Sequence, residues 1–384
     1  MKRAAFIGAA AAFAAGAKAS AQVPIAPQSR QLTIAVNVPL SGPLGAYGNQ
    51  VVQGVKGAID ENNMLNALGS IVFGIRPLDD QNSASASIAN VSVAAADQTI
   101  VGIVGNLTDA VTVETLTAYA NDGFALVCPS VHAVDLTQRG FHNVYRLPTR
   151  DDVAGRLFAT TIFRKQPSAF ALAVTLDGAY GPDVARGFIQ QAKADRRNVD
   201  TVTLPARAFD PVAAARAVLA RSPDYLLLCG TSPQLGPLVL ALHDAQYGGA
   251  FGLSDGFFDP GTISQYGTLL QNAIVFADLP PLDRVPGIFQ QLADLRREVS
   301  PISALIAYGY AAAQIVIQAS QRTNALTRYS LLQGMQLAGS FNTLVGPYSF
   351  GPFGDALVPN LYFYKISGTS FEYVEPAIRN GYVV

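Results

Sequence analysis

The chain has 384 residues, of which 50% are hydrophobic and 14% charged. That length holds two ordinary domains, each with its own core, and the apolar content excludes a disordered chain. A formal net charge of −1 offers no basic excess for a nucleic-acid partner.

The chain opens on Met1, Lys2 and Arg3, followed by an uncharged apolar run from Ala4 to Ala17 and then Lys18. Ala19, Ser20 and Ala21 form a small-x-small cleavage pattern. The segment therefore reads as an export signal over residues 1–21, cut between Ala21 and Gln22, with the periplasm as destination. The competing reading is a membrane anchor, but the run is short and alanine-rich for a bilayer span. Without Lys2, Arg3 and Lys18 the mature chain carries 23 basic and 27 acidic residues, a net of −4.

Strand and helix then alternate. Leu32 to Val36 reads as a strand that ends in the turn at Ser41, Gly42 and Pro43. A helix with Val51, Val55, Ala58, Ile59 and Leu65 on one face runs to about Leu68. Strands follow at Ile71–Leu78, Ile100–Val104 and Phe124–Cys128, with helices opened near Asn82 or Ser83 and at Thr108. From Asp151 the pattern restarts. Strands are expected at Ala169–Thr175, Val199–Leu204, Asp224–Cys229 and Ala273–Ala277, and helices at Pro182–Ala194, Pro211–Ala220 and Leu235–Ala245. After the linker-like Asp278 to Pro281 come helices at Gly287–Val299 and Ile302–Arg322, then strand-like runs at Leu344–Phe350 and Leu361–Ile366.

This order predicts an α/β protein of two Rossmann-like lobes with parallel sheets. Ligands of such sheets bind beyond the carboxyl ends of the strands. Those segments offer Tyr47, Thr108, Asp109, Ser130, Tyr180, Thr231 and Ser232 as hydroxyl, aromatic and helix-terminal groups. Cys128 and Cys229 fall in different lobes, so two buried free thiols are expected rather than a bridge.

Catalytic motifs are missing. His132, His142 and His243 have no metal-ligand spacing with one another or with a cysteine, so no metal is expected. There is no Gly-x-Ser-x-Gly elbow, Walker loop or Gly-x-Gly-x-x-Gly after a strand, and no cofactor is implied. Asp79 and Asp80 are adjacent on a strand and point to opposite faces, which suits a turn better than a catalytic pair.

Five stretches, in order, resemble the branched-chain amino-acid binding proteins of ABC transporters. They are Val38–Gly48, Leu78–Asp80, Cys128–Ser130 with Asp135–Gly140, Asp177–Gly181 and Val345–Phe350. The resemblance implies a type I periplasmic-binding fold with three crossovers, near Pro148, Asp278 and Phe353. The N-lobe would take 31–148 and 279–353, and the C-lobe 149–278 and 354–384. It implies a monomeric, non-enzymatic receptor that closes on a small-molecule solute by a hinge motion and delivers it to an inner-membrane permease.

The same resemblance places Tyr47 and Tyr180 over the ligand from the two lobes and Ser130 beside it. Asp255, with Asp259 as its rival, stands for the family's acidic partner of the ligand ammonium group. Asp109, His132 and Thr231 replace a serine, a threonine and an aromatic of the family site. A carboxylate at Asp109 would repel a ligand carboxylate, or else it only favours the first turn of its helix. The expected ligand is therefore not a standard branched-chain amino acid; amine-bearing, amide-like and largely apolar solutes all remain open. A sensor for a membrane kinase or channel is an alternative use of the same fold. A hydrolase is a remote one, for which no nucleophile–base pair can be placed.

Overall fold

The computed structural model describes residues 30–65, 71–178, 180–207, 209–284, 303–324, 327–337, 339–379 and 382–383. The expected signal segment and the expected helix at 287–299 lie outside these residues. The first sheet holds β1 (Arg30–Val38), β2 (Ile71–Asp79), β3 (Ile100–Gly105), β4 (Ala125–Cys128) and β5 (Val144–Arg146). All its strands are parallel, in the order β2-β1-β3-β4-β5. The second sheet repeats that order with β7 (Val199–Pro205), β6 (Ala171–Asp177), β8 (Tyr225–Cys229), β9 (Ala250–Leu253) and β10 (Ile274–Ala277). Central strands such as β3 and β8 are buried along their whole length, as expected of a sheet covered by helices on both faces. The edge strand β7 is mostly exposed instead.

The fold class agrees with the sequence reading, with corrections of detail. The second sheet is mixed: β13 (Tyr362–Ser367) joins β10 antiparallel and β14 (Ser370–Pro376) pairs with β13. The strand-like run at Leu344–Phe350 contains β12 (Gly346–Tyr348), which forms a hairpin with an unanticipated strand, β11 (Phe341–Thr343). Leu344 and Val345 make the turn, and Gly346 leaves it with a φ of 111°, a conformation that glycine adopts without steric cost. Strand β9 and the helices α8 (Pro260–Tyr266) and α10 (Arg328–Gln336) were not anticipated. Both helices carry strong start signals. Asp259 caps α8 ahead of Pro260, and Thr327 forms a capping box with Ser330.

Each sheet is covered by one tightly crossed helix pair. In the first half α1 (Gly45–Leu65) packs on α9 (Ala304–Arg322) through Gly54 and Gly309. A Cβ at Gly54 would lie 2.1 Å from the Ile306 carbonyl oxygen, and one at Gly309 would lie 2.5 Å from that of Val51. In the second half α4 (Asp151–Lys165) meets α5 (Pro182–Ala194) at Gly155 and Gly187. There a Cβ would come within 2.1 Å of the Val184 and Asp152 carbonyl oxygens respectively. Backbone-to-backbone contact of this kind leaves each half little room to deform internally.

The chain passes between the sheets around residues 146–150, 277–279 and 354–361, and these passages are tied together. The Thr149 amide donates to Asp278 Oδ1 at 3.0 Å, the Thr149 hydroxyl to the Asn360 carbonyl at 3.0 Å, and the Arg146 amide to the Gly354 carbonyl at 2.9 Å. Cys128 and Cys229 end β4 and β8 in separate sheets, and both are buried free thiols.

Candidate ligand-binding site

A cavity of about 120 Å³ opens beyond the carboxyl ends of β4, β5, β9 and β10. Ser130, His132 and Pro148 wall it from the first sheet, Asp255, Phe258 and Asp278 from the second, and Leu305 and Tyr308 from α9. The loops after strands carry the polar groups because the strands themselves are apolar and buried.

At its centre His132 Nε2 lies 2.9 Å from Asp278 Oδ2 and 3.5 Å from Asp255 Oδ2. Burial alone would lower the imidazole pKa. The hydrogen bond to Asp278 and the charges of Asp255 and Asp278 outweigh it and raise the value to about 10. Burial pushes the Asp255 carboxyl up, against the pull of His132 and of the Tyr180 hydroxyl, which donates to Asp255 Oδ1. Asp151, 5% exposed, stands behind them, and its pKa is raised well above the ordinary value, chiefly by burial. Three carboxylates thus gather around one imidazole, and among the described lining residues His132 is the only basic one.

The residues singled out from sequence divide into two groups. Ser130, His132 and Asp255 line the cavity, and Tyr180 reaches it through Asp255. Tyr47, Thr108, Asp109 and Thr231 do not line it. Tyr47 is 50% exposed on the first turn of α1. The Thr108 hydroxyl donates to Asn82 Oδ1 at 2.7 Å, and that of Thr231 to Gln234 Oε1 at 2.9 Å. Asp109 Oδ1 accepts the backbone N–H groups of His132 and Ala133 at 2.9 and 3.2 Å. Asp259 is spent on capping α8, where it also accepts the Ser232 hydroxyl at 2.9 Å, so Asp255 alone of the two faces the cavity.

Sequence reasoning missed Asp278, Tyr308 and Asp151. Asp278 had been read as the start of a linker, although a carboxylate directly after an apolar strand is the signal that marked the other loops. The expectation of no metal-ligand cluster rested on histidine and cysteine spacing. The fold brings His132, Asp255 and Asp278 together with donor atoms within 4.8 Å of one another.

Two halves of like topology, with a largely apolar cavity at facing strand ends that holds the His132, Asp255 and Asp278 cluster, define a cleft-type solute binder. The chain matches the family model described as "Periplasmic binding protein" over residues 31–370, and it belongs to that family. It is 26% identical to a Leu/Ile/Val-binding protein of Rhizobium johnstonii, over 87% of this chain and 91% of that one. Its fold matches an ABC transporter substrate-binding protein from Desulfitobacterium hafniense in complex with Leu, at a TM-score of 0.77 and 18% identity, covering 90% of this chain and all of that one. It also matches a solute-binding protein from R. palustris in complex with benzoate, at a TM-score of 0.75 and 16% identity, covering 91% of this chain and 96% of that one. Among the described residues no helix is long and apolar enough to cross a membrane.

Proposed function

We propose that this protein captures a small solute that carries positive charge and no carboxylate, and delivers it to an ABC transporter permease of the inner membrane. The observation that carries the reading is the state of the polar groups in the cleft. Asp109 already fills the two backbone N–H groups at His132 and Ala133. A solute carboxylate would lose those donors and meet Asp255 and Asp278 in a half-buried cavity, where like charges repel strongly. A cation instead balances the excess of carboxylates. The solutes named for the two structural matches, Leu and benzoate, both bring a carboxylate and fit this charge pattern poorly.

The lobe division follows the three passages of chain, with crossovers near Pro148, Asp278 and Phe353, and closure turns about them. The chain is exported to the periplasm and begins at Gln22 after cleavage; the intact mass of the secreted protein checks this. It works as a monomer, which light scattering on the purified protein checks.

Calorimetric titration tests the solute class. Leucine, isoleucine, valine and benzoate are expected to give no binding heat, and at least one amine cation such as putrescine, agmatine or choline is expected to bind and raise the melting temperature. Tight binding of any of the three branched-chain amino acids sinks the reading.

A further inference from the structure

We infer that His132 is a latch between the two halves: its side chain holds Asp255 and Asp278 of the second half and draws the cleft together without any solute. This rests on the reading of the halves as lobes that turn about the three passages, and it names what resists the turning. His132 stands in the loop after β4 of the first sheet, whereas Asp255 and Asp278 follow β9 and β10 of the second. Its Nε2 lies 2.9 Å from Asp278 Oδ2 and 3.5 Å from Asp255 Oδ2. With its pKa raised to about 10, the imidazole meets these carboxyl groups as a cation at neutral pH. The side chains of His132 and Asp255 are 21% and 20% exposed and that of Asp278 8%, so salt screens the contact less than it would a surface pair.

Both ends of the contact are braced. On the first half, Asp109 Oδ1 accepts the backbone N–H groups of His132 and Ala133 at 2.9 and 3.2 Å, which pins the loop to the start of α3 (Asp109–Asn121). On the second, Asp255 Oδ1 accepts the Tyr180 hydroxyl, and Asp278 Oδ1 accepts the Thr149 amide at 3.0 Å. Each carboxylate thus has one oxygen fixed and the other aimed at the imidazole. The His132 carbonyl also accepts the amide of Asp151, the first residue of α4, at 3.2 Å. A contact held on both sides passes force from one half to the other instead of yielding.

The apolar packing leaves this role open. Buried apolar side chains cluster within one half or the other: Ile34, Val104 and Ile315 pack together in the first, and Val174, Leu228 and Val275 in the second. Among the described residues no buried apolar cluster joins the two halves. Each half is itself stiff, because its glycines bring covering helices into backbone contact. The placement of one half on the other is therefore set by the passages and by polar contacts across the cleft. The ties at Thr149 and Gly354 belong to the passages themselves, whereas His132 and Asp255 join two loops outside them.

The test is small-angle X-ray scattering of the full mature chain, unfolded and refolded to strip any solute. Wild type is expected to scatter as a compact particle, and His132→Ala to show a larger radius of gyration with an unchanged circular dichroism spectrum. Asp278→Asn keeps the side-chain shape and should shift the radius in the same direction by less, because Asp255 remains. Equal radii in wild type and both variants would overturn the latch. So would a failure of both variants to fold, since the contact would then belong to the fold and not to its movement. The hinge reading is scored separately, by adding whichever of putrescine, agmatine or choline binds in calorimetry. Compaction of all three proteins from equal starting radii leaves the hinged receptor standing without the latch. Equal radii that bound solute never changes bring down both.

Discussion

Two charge clusters near the chain passages differ in kind, one closed on itself and one lining the cavity. Outside the cavity lining, Arg146, Asp355, Arg150, Asp152 and Arg156 form one chain. Arg146 Nε is 2.9 Å from Asp355 and Arg150 Nη1 is 3.4 Å from it, while Arg150 Nε is 2.6 Å and Arg156 Nη1 2.7 Å from Asp152. The fully buried Arg146 also donates to the Thr137 hydroxyl and the Ala133 carbonyl. Every one of these charges has a partner. On the cavity face Asp255 and Asp278 share His132, with the buried Asp151 behind them. A closed network is finished by folding. An open one is completed by something that arrives afterwards, and this difference separates architecture from site when both lie within a few residues of Pro148.

The comparison breaks if the closed network proves dispensable. Arg146→Met removes a buried guanidinium and strands its partners. Because Asp355 can turn to water, the expected loss is about 3 kcal/mol, at the lower end for a broken buried pair, read from urea unfolding. Next in size is acid sensitivity. Burial would raise the Asp152 pKa, but its bonds to Arg150 and Arg156 win and hold it below the ordinary carboxylate value. A depressed carboxyl stabilises the fold above its unfolded pKa of about 3.9, and that contribution fades as pH falls through the folded value. Asp152→Asn should therefore lower the urea midpoint at neutral pH and flatten its dependence below about pH 4. A parallel pair of curves would show that the arginines contribute nothing there. The smallest effect belongs to the open side. Tyr308→Phe deletes a buried hydroxyl that meets the Tyr348 hydroxyl and should cost the ligand-free protein no more than about 1 kcal/mol. A clear loss of stability in that variant would mean the cavity face is as complete as the other.

The alternation of strand and helix was legible because strands buried on both faces, such as Ile100–Gly105 and Tyr225–Cys229, are continuous apolar runs. What failed was short or sparsely buried. Helix α10 buries only Leu331, Gly334 and Met335 among its residues, too few to mark a face, and β9 is four residues long beside Gly248 and Gly249. Half of the site was legible by the rule that ligands meet the ends of strands, which put Ser130 in view; the family resemblance added His132 and Asp255. Asp278 and Tyr308 were not, because nothing local marks a contact across 146 residues such as that of His132 with Asp278. The rule also picked out Thr108 and Thr231, whose hydroxyls turn to neighbouring side chains instead of the cavity. Composition at a strand end does not say which way a hydroxyl faces.

The cysteines have a use of their own. Cys128 lies in the first sheet and Cys229 in the second, both without exposed surface, and burial pushes both thiols up so that thiolate is scarce. An alkylating reagent therefore reaches each one only when its own sheet opens. Each modification adds a fixed mass, and peptide mapping tells the two sulfurs apart. The native chain thus carries one silent marker per half, and a timed pulse of reagent in rising urea would order the opening of the halves without any foreign label.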